Sequence, residues 1–203
     1  MSAKLPGVYE TTQKNGTVTY RSSLTYQSKH ISLGSFPTEE EAHLAYKEGT
    51  SLLSESEITL ENYTAYIKLL DFAKAITLLN FRDNGVYIKN PIYLKQNYFL
   101  YFLAPQTEYK FDIDDLFFYS SHKIMQRGGR LFVNEYGMQT GILSRYGVRN
   151  HAVLDVDYTF ANGNPFDYSY ANIIVINRYR GVVQTEHLSL IHISEPTRPE
   201  PIS

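Results

Sequence analysis

The chain has 203 residues and a formal net charge of −2, so it is long enough for one or two domains with a sizeable core. The charge excludes a protein that coats nucleic acid through bulk positive charge, although it leaves room for a local basic patch. The absence of cysteine excludes disulfides, a thiolate nucleophile and a cysteine-ligated zinc site. No apolar run is long enough to span a bilayer and the N-terminal residues do not read as a signal peptide, so we expect a cytoplasmic protein without a membrane partner.

The first fifty residues are patterned as three short strands followed by one helix. Residues 7–12, 17–27 and 30–35 are rich in strand-forming side chains, and turns separate them at Lys14-Asn15-Gly16 and Ser28-Lys29. In the second strand, side-chain alternation places apolar and polar residues on opposite faces. The apolar set is Val18, Tyr20, Leu24 and Tyr26, and the polar set is Thr19, Arg21, Ser23 and Thr25.

A helix is predicted directly after these strands. Thr38 and Glu41 form a capping box, and the acidic residues 39–41 suit the positive end of the helix dipole. A narrow stripe of small residues lets the helix lie close against one face of the sheet, so the polar face is left uncovered. The stripe consists of Ala42, Ala45, Tyr46 and Gly49.

This stretch resembles the Apetala-two (ethylene-response-factor) DNA-binding domain, in the shortened form found in bacterial and phage proteins. The resemblance covers residues 6–49 and rests on Gly7-Val8-Tyr9, Tyr20-Arg21 and the runs 30–36 and 38–46. It implies that the uncovered face enters the major groove of double-stranded DNA. The contacting residues carried over by position are Tyr9, Thr11, Thr19, Arg21, Ser23, Thr25 and Lys29. Arg21 is the one that can make a bidentate contact to guanine. The alternative interpretation is a small structural sheet whose polar face is merely solvated.

Residues 51–81 are predicted to form a bridging segment, most of it one long helix over 57–81. Thr59 is placed to cap this helix, and apolar residues occur around much of its circumference. Such a helix packs against two partners. We therefore expect it to join the small module, residues 1–50, to a second domain at 82–180.

Beyond residue 82 the pattern changes to short aromatic strands. Strands are expected at 85–88, 91–94, 98–103, 123–126, 130–136, 139–143 and 148–153. Arg127-Gly128-Gly129 marks a hairpin turn, and residues 112–119 form a short helix with an acidic start. These elements predict a mixed domain, so the expected fold class for the whole chain is α+β.

Residues 162–175 resemble the second half of the HNH nuclease motif, in which a Gly-Asn-Pro turn leads into a short helix. The matching positions are Asn162, Gly163, Asn164, Pro165, Asp167, Asn172 and Ile173. The preceding residues 112–133 are similar to the acidic helix and hairpin that come before this motif in phage homing endonucleases. Those proteins often join HNH and Apetala-two modules, so each resemblance supports the other.

The resemblance does not extend to the catalytic residues. Just before the turn the family places a His, which activates water, beside a second metal ligand, whereas Thr159 and Phe160 stand at those positions here. His151 is expected on a separate strand. Three carboxylates are able to bind a cation or to form a solvated face, namely Asp155, Asp157 and Asp167. We therefore expect a degenerate HNH domain without catalytic residues, metal or cofactor, in which Asn172 braces the turn.

A basic cluster lies between residues 120 and 150. It comprises Lys123, Arg127, Arg130, Arg145 and Arg149, with Glu135 as the acidic residue among them. Arginines interleaved with aromatic residues suit contacts to phosphates and bases. The alternative is that these arginines pair with acidic residues of the same domain, namely Asp112, Asp114, Asp115, Asp155 and Asp157.

The end of the chain carries two further patterns. Residues 179–186 echo the start of the chain, and we expect 181–187 to open a second, truncated Apetala-two-like module. Residues 188–198 resemble the in-frame translation of an adapter used to prepare sequencing libraries. We therefore expect 188–203 to be an artefactual tail on a truncated metagenomic reading frame.

Together these patterns predict a DNA-binding protein, non-catalytic and derived from a homing-endonuclease-like mobile element, with double-stranded DNA as its partner. Two alternatives stay open. One is an active metal-dependent HNH homing endonuclease, and the other is a protein-interaction module that does not bind DNA.

Overall fold

The structure is a computed structural model that describes residues 5–14 and 16–177. The expected second module at 181–187 and the adapter-like tail at 188–203 lie outside the described residues. The described part contains helices and mainly antiparallel sheets, with the strands in consecutive groups between the helices, which confirms the α+β class.

The three predicted N-terminal strands are present and form one antiparallel sheet. They are β1 (Val8–Thr12), β2 (Val18–Tyr26) and β3 (Lys29–Phe36), with β2 in the middle. The helix α1 (Glu39–Ser54) follows, and its first turn is capped as predicted because Thr38 Oγ1 accepts a hydrogen bond from the Glu41 N–H at 3.2 Å.

The small residues of α1 do allow close packing. A Cβ atom at Gly49 would lie only 3.0 Å from Leu33 Cδ1 and 3.1 Å from Leu24 Cδ2, so a larger residue would push the helix off the sheet. Ala42 and Ala45 are fully buried on the same helix. One face of the sheet is therefore covered by α1.

The prediction of one long helix over 57–81 is wrong. A short 3₁₀ helix (Tyr63–Ala65) and the separate helix α2 (Phe72–Asn84) occupy this region. Thr59 does not cap a helix, since its own N–H donates to Asn62 Oδ1 at 2.7 Å. Asp71 is the N-cap of α2.

A buried carboxylate explains the interruption. Glu48 of α1 accepts hydrogen bonds from the backbone N–H groups of Lys68, Leu69 and Leu70, at 2.9, 3.1 and 2.8 Å. These N–H groups donate to a side chain of another helix, so none of them is available for the backbone hydrogen bonds of one continuous helix.

The second half of the described chain contains nine further strands and one α-helix. The sheet elements are β4 (Ile92–Leu94), β5 (Tyr98–Ala104), β6 (Thr107–Asp112), β7 (Ile124–Arg127), β8 (Arg130–Glu135), β9 (Met138–Gly141), β10 (Tyr158–Phe160), β11 (Asp167–Tyr168) and β12 (Ile173–Val175). The helix α3 (Leu116–Ser121) follows a 3₁₀ turn (Ile113–Asp115), which confirms the predicted short acidic helix.

Several strands that were predicted in this half differ from those in the structure. Residues 85–88 and 148–153 form no strand, while β6 was not predicted at all. The sheets have the orders β11-β6-β5-β4, β7-β8-β9 and β10-β12, and β11 pairs in parallel with β6. The hairpin across Gly128-Gly129 is present as predicted, between β7 and β8.

Two apolar cores meet at strand β5. Leu100 and Phe102 point to the N-terminal core, which also contains Leu24, Ile31, Leu33, Leu52, Ile76 and Leu79. Phe99 and Tyr101 point to the C-terminal core, which also contains Ile92, Phe111, Tyr119, Leu131, Val133, Ile142 and Phe160. Because successive side chains of a strand point to opposite faces, β5 forms part of the wall between the two cores.

Candidate nucleic-acid interface

The face of the β1–β3 sheet opposite α1 is open and polar. Cross-strand pairing sets Tyr9, Arg21 and Ser35 in one row across all three strands. Thr11 and Thr19 pair on one side of this row. Tyr9, Arg21, Ser35 and Thr11 are exposed, so these predicted contact residues lie together on an accessible surface.

Arg21 is the central cation of this face. Within the described residues, its guanidinium has no acidic partner and no hydrogen bond. The neighbouring Thr25 pairs across the sheet with His30, and both side chains are exposed. The face therefore offers one free guanidinium surrounded by hydroxyl and imidazole groups.

Two of the predicted contact residues are not on this surface. Ser23 is buried, beside the register irregularity between β2 and β3, and its N–H donates to the Gly7 carbonyl at 3.0 Å. Lys29 stands two positions before Ile31 on β3, so both side chains lie on the covered face. The Lys29 ammonium lies 4.6 Å from the centre of the Tyr87 ring. Neither is placed to touch a ligand on the open face.

Three residues of β3 join the open face although they were not predicted to contact DNA. They are His30, Ser32 and Ser35, and all three are exposed. For His30 and Ser32 the signal was present in the sequence, because Ile31 and Leu33 were assigned to the apolar face and alternation places these two neighbours opposite. Ser35 reaches the open face through the register irregularity beside Ser22 and Ser23, which alternation does not reveal.

Two members of the basic cluster are engaged in ion pairs. Arg145 donates to Asp115 Oδ1 at 2.7 Å, and its guanidinium carbon lies 3.9 Å from the centre of the Phe118 ring. Arg149 donates to Asp157 Oδ1 at 2.5 Å. For these two residues the pairing alternative is confirmed, since both partner carboxylates are buried.

The carboxylate of Asp157 also holds a backbone turn. The Val153 N–H donates to its Oδ2 at 2.8 Å and, against the opposing effect of desolvation, this bond and the Arg149 guanidinium keep the pKa of Asp157 below its ordinary value. Asp157 is therefore a structural carboxylate, each of whose oxygens already accepts a hydrogen bond.

The remaining cluster residues, Lys123, Arg127 and Arg130, are exposed at the β7–β9 sheet. Arg130 Nη2 donates to the Ala152 carbonyl at 3.1 Å. Within the described residues, Lys123 and Arg127 have neither an ion pair nor a hydrogen bond through their side chains. The basic cluster thus divides into two arginines that pair with buried carboxylates and an exposed basic group.

The HNH-like turn is braced as predicted. Asn172 Oδ1 accepts from the Asn162 N–H and its Nδ2 donates to the Asp167 carbonyl, both at 2.8 Å. Asn162 Oδ1 accepts from the Asn164 N–H at 2.8 Å, which closes the turn through Gly163 and leads to Pro165. These residues hydrogen-bond to one another, so their role in the structure is to fix the conformation of the loop.

Asp167 is part of the same network. Its carboxylate accepts from Ser169, from Asn162 Nδ2 at 3.1 Å and from Lys110 Nζ at 3.0 Å. Burial opposes ionisation of this group, but the hydrogen bonds from Ser169 and Lys110 outweigh it and lower the pKa of Asp167.

The helix that the HNH resemblance implied after the turn is not found. Residues 167–168 and 173–175 are strands instead, and Phe160 is buried, pairing with Ile173 and packing on Tyr168. His151 lies in a turn with a φ of 64°, so its expected place on a strand is also wrong. The aromatic residue at the position of the catalytic His serves the C-terminal core.

Among residues 5–14 and 16–177, no three His, Asp or Glu side chains come close enough to hold a metal ion. Nor does any helix in these ranges have the length and apolar character needed to cross a membrane. Compared with protein-family models, curated proteins and solved structures, the chain matches none of them.

Proposed function

We propose that the protein binds double-stranded DNA through the open face of the β1–β3 sheet and performs no chemistry on it. The observation that carries the proposal is the row of Tyr9, Arg21 and Ser35, in which an exposed guanidinium without a partner among residues 5–14 and 16–177 stands at the centre of an uncovered sheet. The major groove of B-DNA is wide enough to admit such strands, and Arg can bind the O6 and N7 atoms of guanine together.

The surroundings of Arg21 suit the phosphate backbone. Thr11, Thr25 and Ser35 carry exposed hydroxyl groups, and such groups commonly donate to phosphate oxygens. Because Arg21 is the one strong cation on this face, we expect a shallow dependence of affinity on salt. Specificity then depends mainly on the contact between Arg21 and a base.

The hydrogen bonds of the three carboxylates that were considered as metal ligands support the proposal that the protein is not catalytic. Asp157 and Asp167 already accept hydrogen bonds on both oxygens, with Arg149 and Lys110 among their donors, while Thr159 donates to Asp155 at 2.8 Å. Phe160 occupies the position at which the HNH motif needs a base. The proposed descent from a homing-endonuclease-like ancestor rests on the turn at residues 162–167. We also propose that the protein has a regulatory role in the cytoplasm.

A selection from a random duplex library, followed by fluorescence anisotropy on the enriched site, tests this function. Arg21→Ala is expected to weaken binding to that site about tenfold or more and to relax its specificity, since a bidentate guanine contact contributes about 1–3 kcal/mol. Lys47→Ala is the matched control, because Lys47 is an exposed cation on α1, behind the sheet. Equal losses for both variants, or no enriched duplex, would contradict the proposal.

A plasmid assay separates binding from cleavage. The protein is incubated with supercoiled DNA and Mg²⁺ or Mn²⁺, and no nicked product is expected. Metal-dependent nicking that persists through purification and that follows the protein concentration would favour the endonuclease alternative instead.

A further inference from the structure

The sheet β7–β9 has a second open face, distinct from the proposed duplex interface. Ile124, Leu131 and Val133 point from it into the C-terminal core. Alternation places Met125, Phe132 and Gly141 on the opposite side, where they form one cross-strand row. Phe132 is only half-buried, so an aromatic ring lies at the centre of this open face.

Two arginines stand directly opposite each other at one end of this face. Arg127 and Arg130 pair across the Gly128-Gly129 turn, where φ values of 55° and 74° allow a tight two-residue hairpin. Like charges that face each other across two strands destabilise the pair. An anion bound between the two guanidinium groups would remove that repulsion.

No carboxylate supplies this anion from within the face. Lys123 and Arg127 are exposed and without a partner in the described part of the chain, and Arg130 bonds only to the Ala152 carbonyl. Glu135, the one acidic residue between 123 and 141, stands two positions after the core-facing Val133 and therefore lies on the same side of the sheet as Val133, away from the open face. The open face of β7–β9 is therefore uniformly basic.

A cleft of about 230 Å³ borders the aromatic row. Arg130, Phe132, Gln139, Ser144 and His151 are among its lining residues, so apolar, cationic and hydrogen-bonding groups converge there. Gly141 lies opposite Phe132 and has no side chain to cover the ring. Pockets for complete small ligands typically exceed about 300 Å³, so this cleft suits one unit of a polymer rather than a whole ligand.

We propose that the open face of β7–β9 binds a single-stranded segment of nucleic acid. Arg127 and Arg130 hold a backbone phosphate, Phe132 stacks on one unpaired base, and Gln139 and Ser144 face the edge of that base. Positive grooves with an exposed aromatic ring are the general means by which proteins hold unpaired strands. This surface acts independently of the duplex interface that contains Arg21.

Fluorescence anisotropy with a labelled oligothymidine of about ten nucleotides tests the proposal on the full chain. Arg127→Gln is expected to weaken binding and to reduce the slope of log Kd against log salt by about 0.7, the value for one phosphate contact on a single strand. Phe132→Leu keeps an apolar side chain but removes the stacking surface, and it is expected to weaken binding about fivefold or more. Circular dichroism establishes that each variant is folded.

Lys47→Ala is the control in this assay, because this exposed lysine belongs to α1 and not to the β7–β9 sheet, and it should leave oligothymidine binding unchanged. Binding to duplex DNA without measurable binding to oligothymidine would overturn this inference and leave the proposed function standing. Binding that is insensitive to both Arg127→Gln and Phe132→Leu would also overturn it. If oligothymidine binds in the predicted manner while no duplex does, the proposed function fails and this inference survives.

Discussion

At the scale of single residues, the contact between Gly7 and Tyr46 fixes where the chain enters the first sheet. Gly7 has a φ of 75°, and a Cβ atom there would lie 2.0 Å from Tyr46 Cδ2. A left-handed backbone costs a non-glycine residue about 1–2 kcal/mol, and the overlap with an aromatic ring adds to that. The position thus requires glycine for two separate reasons.

We predict that Gly7→Ala lowers the free energy of unfolding by more than about 2 kcal/mol. Gly16→Ala serves as the control, since Gly16 also has a positive φ, 83°, but has open space where its Cβ would be. Urea unfolding of both variants measures the difference. Equal losses would show that the ring contact contributes nothing.

Protonation of Asp167 is predicted to destabilise the protein in acid. Its pKa in the folded state is lowered below the ordinary 3.8, so the stability it contributes is present above that pH and is lost as the pH falls through the folded value. Asp167→Asn should reduce this acid dependence while it lowers stability at neutral pH. Urea unfolding between pH 7 and about pH 3 measures both. An unchanged pH profile in the variant would assign the acid dependence to other carboxylates.

At the scale of elements, the joint between α1 and α2 depends on side chains that each satisfy several backbone groups. Glu48 accepts three N–H groups from residues 68–70, and Arg82 of α2 donates to the carbonyls of Leu52, Glu55 and Ile58 at 2.8, 2.8 and 2.9 Å. Arg82 thereby caps the end of α1. The two helices are held in register by charge-assisted hydrogen bonds as well as by apolar packing.

Glu48→Gln is predicted to lower the free energy of unfolding by about 1–3 kcal/mol, because the amide nitrogen cannot accept the N–H groups that the second carboxylate oxygen accepts. Glu57→Gln is the matched control, since Glu57 is exposed and its side chain is not part of this joint. Thermal and urea unfolding compare the two. A loss below that of the control would mean that the interruption of the predicted long helix does not depend on Glu48.

The same joint shows which parts of the fold could be predicted from the sequence. Strands β1–β3 and the cap of α1 follow from alternation and from residues within a few positions of one another, and these predictions are confirmed. The break before α2 depends on Glu48, about twenty residues upstream. The hydrophobic periodicity within residues 57–81 cannot reveal a contact with so distant a residue. Strand β6 was missed because its charged residues conceal the alternation of Tyr109 and Phe111, which become buried only through pairing with β5.

The candidate interface was predictable to a similar degree. Alternation brought Tyr9, Thr11, Thr19, Arg21 and Thr25 together correctly. Ser23 and Lys29 were misplaced, because a register irregularity and a tight turn decide their positions and alternation alone does not reveal either. The sequence also did not show which arginines of the basic cluster form ion pairs, since Arg145 and Asp115 are thirty residues apart and meet only in the folded chain.

At the scale of the whole molecule, the two cores are coupled through shared elements. Strand β5 contributes Leu100 and Phe102 to the N-terminal core and Phe99 and Tyr101 to the C-terminal core. Loss of either core exposes one face of this strand. The boundary expected near residue 81 is therefore crossed by apolar packing, and the small sheet shares its core with α2 and β5.

We predict that the described part of the chain unfolds in one cooperative transition. Far-ultraviolet circular dichroism and tyrosine fluorescence should give coincident curves in urea, because neither core is complete without β5. Phe102→Ala, in the N-terminal core, should shift both curves together. Two separated transitions would show that the small module folds independently.

The alternation of β5 has a consequence for how the chain can vary in length. Between Tyr98 and Phe102 the pairing with β6 is regular, so a single residue inserted there would move the side chains on one side of the insertion to the opposite face, away from the core they fill. The pairing is already irregular between Phe102 and Ala104, and the turn at Pro105-Gln106 follows, so an extra residue there leaves the phase of the preceding strand intact. We therefore expect variants of this protein to differ in length beyond Phe102 and not between Tyr98 and Phe102.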